Sequence, residues 1–87
     1  MYVYILSLDA GKYYVGTSDN LENRLDYHFN NIGSEWTKLY SPKEIITIYE
    51  TDNRLDEDKY TLMYMAQYGI DNVRGGSFAN ITLTAEE

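Results

Sequence analysis

The 87-residue sequence has no cysteine, one proline and one histidine. The missing cysteine removes disulfides, thiolate metal sites and thiol nucleophiles together. No apolar run approaches the roughly 20 residues that cross a bilayer, so neither a membrane span nor a membrane partner is expected. The opening residues, Met1-Tyr2-Val3-Tyr4-Ile5-Leu6, have no basic stretch before them and no small-residue cleavage site after them. They do not read as a signal peptide, and the expected location is intracellular. Basic residues are also scarce, with 7 Lys and Arg against 14 Asp and Glu, a net charge of −7. That balance argues against a general nucleic-acid binder, which gains affinity by neutralising phosphates. It leaves room for a local basic site.

What the sequence does have is aromatic character. Ten tyrosines and a hydrophobic fraction of 44% exclude a disordered chain. The length suits one domain, over residues 1–87. Residues 2–7 and 12–17 are β-branched and aromatic and read as a hairpin, turned at Asp9 and Gly11. Gly16, inside the second strand, marks a close backbone approach or a bulge. A helix follows, with Asp19 as N-cap, Glu22 completing a capping box, and Gly33 closing it. Its apolar stripe is Leu21, Leu25, Phe29 and Ile32. Residues 33–43 read as a loop, and 44–51 as a third strand. A second helix runs from Arg54 to Tyr68, with Leu55, Leu62, Met65 and Ala66 as its expected core face. Residues 70–83 hold a loop and a short final element. The order β-β-α-β-α gives an α+β fold, a small antiparallel sheet of about three strands flanked by helices.

The chemistry-bearing residues cluster in the first half. Arg24 and His28 are four apart and sit one turn above each other beside the apolar stripe. A lone histidine there reads either as a packed, hydrogen-bonded residue or as a proton carrier. Tyr4 and Tyr14 have the parity that lets two residues of an antiparallel pair share a face. A free phenol, with a pKa near 10, serves as a base near neutral pH only beside a cation.

Tyr2-Val3-Tyr4 and Tyr14-Val15-Gly16, followed by Arg24-x-x-x-His28 and Trp36-Thr37-Lys38, resemble the GIY-YIG nuclease domain. The resemblance covers residues 2–68 and departs in Tyr2, which replaces the first motif's glycine, and in valine for isoleucine in both motifs. It implies metal-dependent endonuclease cleavage of DNA through a tyrosine-assisted water, with Arg24 on the phosphate. Tyr4, Tyr14, Arg24, His28 and Lys38 are then the catalytic candidates. Gly16, Lys12 and Arg74 are the substrate-binding candidates, and the cations are expected to line one concave face. The family's metal-holding glutamate falls near Thr61, so Glu57, one turn earlier on the same face, becomes the candidate ligand for a single Mg2+ or Mn2+. A chain this small takes its target choice from the nuclease core or from a targeting partner protein. The alternative is an inactive acidic adaptor or inhibitor that kept the fold, which the net charge favours.

Overall fold

The computed structural model describes residues 1–30, 33–76 and 78. The elements run β1 (Tyr2–Leu8), β2 (Tyr13–Ser18), α1 (Leu21–Phe29), α2 (Glu35–Leu39), β3 (Pro42–Glu50), α3 (Leu55–Tyr68) and β4 (Val73–Gly75). Short 3-10 turns at Asp9–Gly11 and Ile70–Asn72 connect them. The fold is α+β, as expected, but among the described residues the sheet has four strands in the order β3-β1-β2-β4. β1 pairs antiparallel with β2 and β3, whereas β4 lies parallel to β2. Val73-Arg74-Gly75 has little strand propensity of its own, and its pairing with Tyr13, Tyr14 and Val15 makes it a strand.

Across the β1–β2 pair Tyr4 faces Gly16 and Leu6 faces Tyr14. Side chains alternate along a strand, so Tyr4, Leu6 and Tyr14 share one face. On the other face Val3, Ile5, Val15 and Val73 pack with Met65 of α3, bordered by Tyr13, Tyr60, Tyr64 and Phe78. On the tyrosine face Tyr4, Leu6, Leu8 and Trp36 pack together, bordered by Tyr14, Leu21, Leu25 and Tyr40. The sheet therefore separates an aliphatic layer under α3 from a mixed layer under α1 and α2.

Three helix readings change. Asn20, not Asp19, caps α1 by accepting from Asn23 N, and the helix stops at Phe29 rather than at Gly33. Its inward stripe is Leu21, Leu25 and His28, while Phe29 is 43% exposed and Ile32 lies outside the described residues. Within residues 33–43 there is a short helix, α2, capped by the Ser34 side chain. In α3 the buried positions are Thr61 and Met65, and Leu55, at 72% exposure, Leu62 and Ala66 lie outside. The cause is the β4 backbone. A Cβ at Gly75 would lie 2.9 Å from Thr61 Oγ1, so the facing helix position takes a small side chain instead of a leucine. No helix among the described residues is long and apolar enough to cross a membrane.

Candidate active site

The site is built where β1, β2, α1, α2 and α3 meet. Tyr4 is 1% exposed, and its hydroxyl lies 2.7 Å from His28 Nε2. The other ring nitrogen, Nδ1, lies 3.0 Å from Thr37 Oγ1, which in turn donates to the Ser34 carbonyl at 3.1 Å. Ser34 Oγ accepts from Thr37 N at 3.1 Å, so one helix cap holds both ends of this turn. Two glycines make the packing possible. A Cβ at Gly16 would lie 2.4 Å from Tyr4 Oη, and one at Gly33 would lie 2.2 Å from His28 Nδ1. Gly33 thus makes room for the histidine rather than ending α1.

Tyr14 rests against this wall, its ring centroid 6.3 Å from Tyr4 and 4.9 Å from His28. Unlike Tyr4, it is only partly buried. Arg24 is exposed on α1, its guanidinium carbon 6.0 Å from the Tyr27 ring centre. Glu57 comes from the first turn of α3, and its Oε1 accepts from Thr17 Oγ1 at 3.4 Å. The Gly76 amide also donates to its carboxylate.

Burial sets the charge states. Desolvation, with Tyr14 and Glu57 adding to it and Arg24 opposing, holds the Tyr4 hydroxyl far above a free phenol's pKa. Tyr14 is raised as well, first by burial and then by the Glu57 charge, with Ser34 and Arg24 pulling it down. Burial and then the Arg24 charge push His28 down to about 4. The Glu57 carboxyl is raised by burial, which its Thr17 and Gly76 donors partly offset. Near neutral pH the wall of Tyr4, Tyr14 and His28 is uncharged, with Arg24 and the Glu57 carboxylate as the charges acting on it.

The other expected residues lie elsewhere. Arg74 is 2% exposed, stacked 4.7 Å from the Trp36 ring centre and donating to the Ile70 and Val73 carbonyls. It is a packed residue and not open to a substrate. Lys12 bonds Asn72 Oδ1 at 2.8 Å and sits over Tyr40. Buried Arg74 therefore cannot line an open cationic face, and it and Lys12 lie against the neighbouring Trp36 and Tyr40 rings. Lys38 is exposed on α2, where its amide donates to the Ser34 carbonyl at 3.0 Å, and among the described residues its side chain has no hydrogen bond or ion pair. Ser34 and Thr37 enter the site without having been singled out for it, and Thr17, which pairs with Val3 on the α3 face of the sheet, is linked to it only through Glu57. A serine just before Glu35-Trp36-Thr37 is the N-cap signal that locates the first two.

A family model described as the GIY-YIG catalytic domain matches residues 1–61 of the chain. The chain belongs to the GIY-YIG family. At the family level this is a nuclease-type, hydrolytic domain. The GIY-YIG match contains Tyr4, Tyr14, Gly16, Arg24, His28, Ser34, Thr37 and Glu57, and ends before Arg74. Among curated proteins, the UPF0213 protein OB0043 of Oceanobacillus iheyensis is 28% identical over 69 residues, 77% of this chain and 80% of the relative. No solved structure matches the chain.

Proposed function

We propose that this GIY-YIG chain is a metal-dependent endonuclease that hydrolyses phosphodiester bonds of DNA. In this reading Tyr14, Arg24 and Glu57 meet the substrate, and Tyr4 and His28 support them from behind. The observation that carries the reading is that Tyr14 of β2 is only partly buried, rests on the Tyr4 and His28 rings, and feels both the Arg24 charge from α1 and the Glu57 charge from α3. Arg24 presents a planar fork that binds two phosphate oxygens at once and matches the charge that grows during displacement. Tyr14 is the more accessible of the two motif tyrosines, so its oxygen is the one placed to orient the attacking water and, in its deprotonated form, to take the water's proton. Burial and the Glu57 charge keep the Tyr14 proton on near neutral pH, while Arg24 and Ser34 favour its release. Cleavage should therefore speed up as pH rises above neutral. Gly16 is buried and serves the site by leaving room for the Tyr4 hydroxyl and the Tyr14 ring, and exposed Lys38 is available to a second phosphate. Target choice falls to this core or to a partner protein.

A single Mg2+ or Mn2+ fits Glu57. The carboxylate is half-buried and short of solvation, which an adjacent cation relieves, and such ions take one or two carboxylates with water completing the shell. When bound, the ion supplies positive charge where the phosphate's negative charge grows.

The test is conversion of supercoiled plasmid to nicked or linear DNA in Mg2+ or Mn2+, with chelator as the blank. Arg24→Ala should slow cleavage by at least about 100-fold, the scale for losing one charge-stabilising donor, with little change in melting temperature. Equal cleavage by both proteins would make Arg24 a surface residue. A wild type silent in both metals would leave the acidic adaptor as the better reading.

A further inference from the structure

Each hydrogen in the buried chain behind Tyr14 can be placed by asking where its donor finds an acceptor. Tyr4 Oη has His28 Nε2 as its one hydrogen-bond partner among the described residues. If Nε2 carried the ring hydrogen, Tyr4 would accept it, and the phenol's own hydrogen would be buried without an acceptor. A buried donor left that way loses its hydration with no compensation. If Nδ1 carries the hydrogen, every donor is used. Tyr4 donates to Nε2, Nδ1 donates to Thr37 Oγ1, and Thr37 donates to the Ser34 carbonyl. Thr37 is fully buried, and its own amide is tied to Ser34 Oγ, so the acceptor for Nδ1 does not move. The ring lies so close to the Gly33 backbone that even a methyl there would overlap it.

We infer that Ser34 and Thr37 are positioning residues of the site: they hold His28 as the Nδ1–H tautomer, which turns the Tyr4 hydroxyl toward His28 and fixes the wall on which Tyr14 rests. The tautomer assignment stands on the hydrogen-bond geometry, and its consequence for cleavage rests on the nuclease reading. The groups facing the imidazole are Tyr4 of β1, Tyr14 of β2, Arg24 of its own helix and Thr37 of α2. None is a carboxylate that would hold the ring charged.

His28 is the chain's one histidine, so a long-range 15N–1H spectrum contains a single imidazole. The wild type at pH 7 should show one fixed Nδ1–H tautomer. Thr37→Val should mix the two tautomers and lower kcat by about 10-fold with KM unchanged, the scale of losing a group that orients another. Thr37→Ser, which keeps the hydroxyl, should restore both. A fixed Nε2–H tautomer in the wild type overturns the inference, and so does Thr37→Val with the Nδ1–H form intact. If Thr37→Val does not fold, the wild-type spectrum and Ser34→Ala decide, the latter being expected to loosen the tautomer. A wild type that shows Nδ1–H yet cuts no DNA supports the positioning role and overturns only the nuclease reading.

Discussion

The two faces of one sheet are built from alternate residues of the same strands, yet they do different work. Toward α3, Val3, Ile5, Val15 and Val73 form an aliphatic layer with Met65. Toward α1 and α2, Tyr4 and Tyr14 lie among Leu6, Leu8 and Trp36, and a buried histidine and threonine join them. The aliphatic face needs only volume and contact, and it holds the strands in register. The tyrosine face needs a partner for every buried polar atom, and no described buried side-chain nitrogen or oxygen lacks one. Stability and chemistry are thereby divided by the strand's two-residue period.

The division can be broken from either side. Tyr14→Phe removes one oxygen from the chemical face. It should reduce cleavage by about 100-fold or more, the range for a lost proton acceptor, and leave the melting temperature nearly unchanged. Ile5→Ala, from the opposite face, should do the reverse. Calorimetry should show a loss of about 2–5 kcal/mol, while cleavage per folded molecule is kept. A large activity loss from Ile5→Ala in the folded protein would mean the faces are not separable.

A pH series sharpens the contrast. His28 has its folded pKa depressed from 6.5 to about 4. A depressed base binds fewer protons in the folded state than in the unfolded one between those values. The stability it contributes is fully present above about pH 6.5 and is lost as pH falls toward 4, on the order of 3 kcal/mol in all. Glu57, pushed upward, works in the opposite direction, so the comparison is with His28→Gln. That variant should have a flatter acid limb in melting temperature against pH, whereas Ile5→Ala should be shifted by a similar amount at every pH. Identical acid limbs for wild type and His28→Gln would remove the buried neutral histidine from the account. The smallest effect is Gly16→Ala. Its new methyl meets the Tyr4 hydroxyl and the Tyr14 ring edge, and should cost about 1–3 kcal/mol, read by denaturant unfolding, with cleavage falling as well.

Much of this was legible in the sequence. Strands β1, β2 and β3 follow from β-branched and aromatic runs, and the parity of Tyr4 and Tyr14 permitted the shared face that the β1–β2 register establishes. What escaped was whatever tertiary contacts create. The five residues of α2 form no helix by propensity alone; the Ser34 cap and the burial of Trp36 and Thr37 stabilise it. β4 exists because β2 offers it an edge. Leu55 and Leu62 have the right spacing for a core face, but the glycine backbone of β4 selects the Glu57–Thr61 side of α3 instead. Arg74 looked available to an anion because its burial against Trp36 depends on residues far away in sequence.

The claim on which the rest depends is that the tyrosine face, completed by Glu57, cuts DNA. The direct measurement is plasmid nicking by the wild type and Glu57→Gln side by side in Mg2+ and Mn2+. Glutamine keeps the size of the side chain and removes the charge that would hold the ion. The account predicts nicking by the wild type and none by Glu57→Gln at an unchanged circular-dichroism spectrum. Glu57→Gln cutting as fast as the wild type would contradict it.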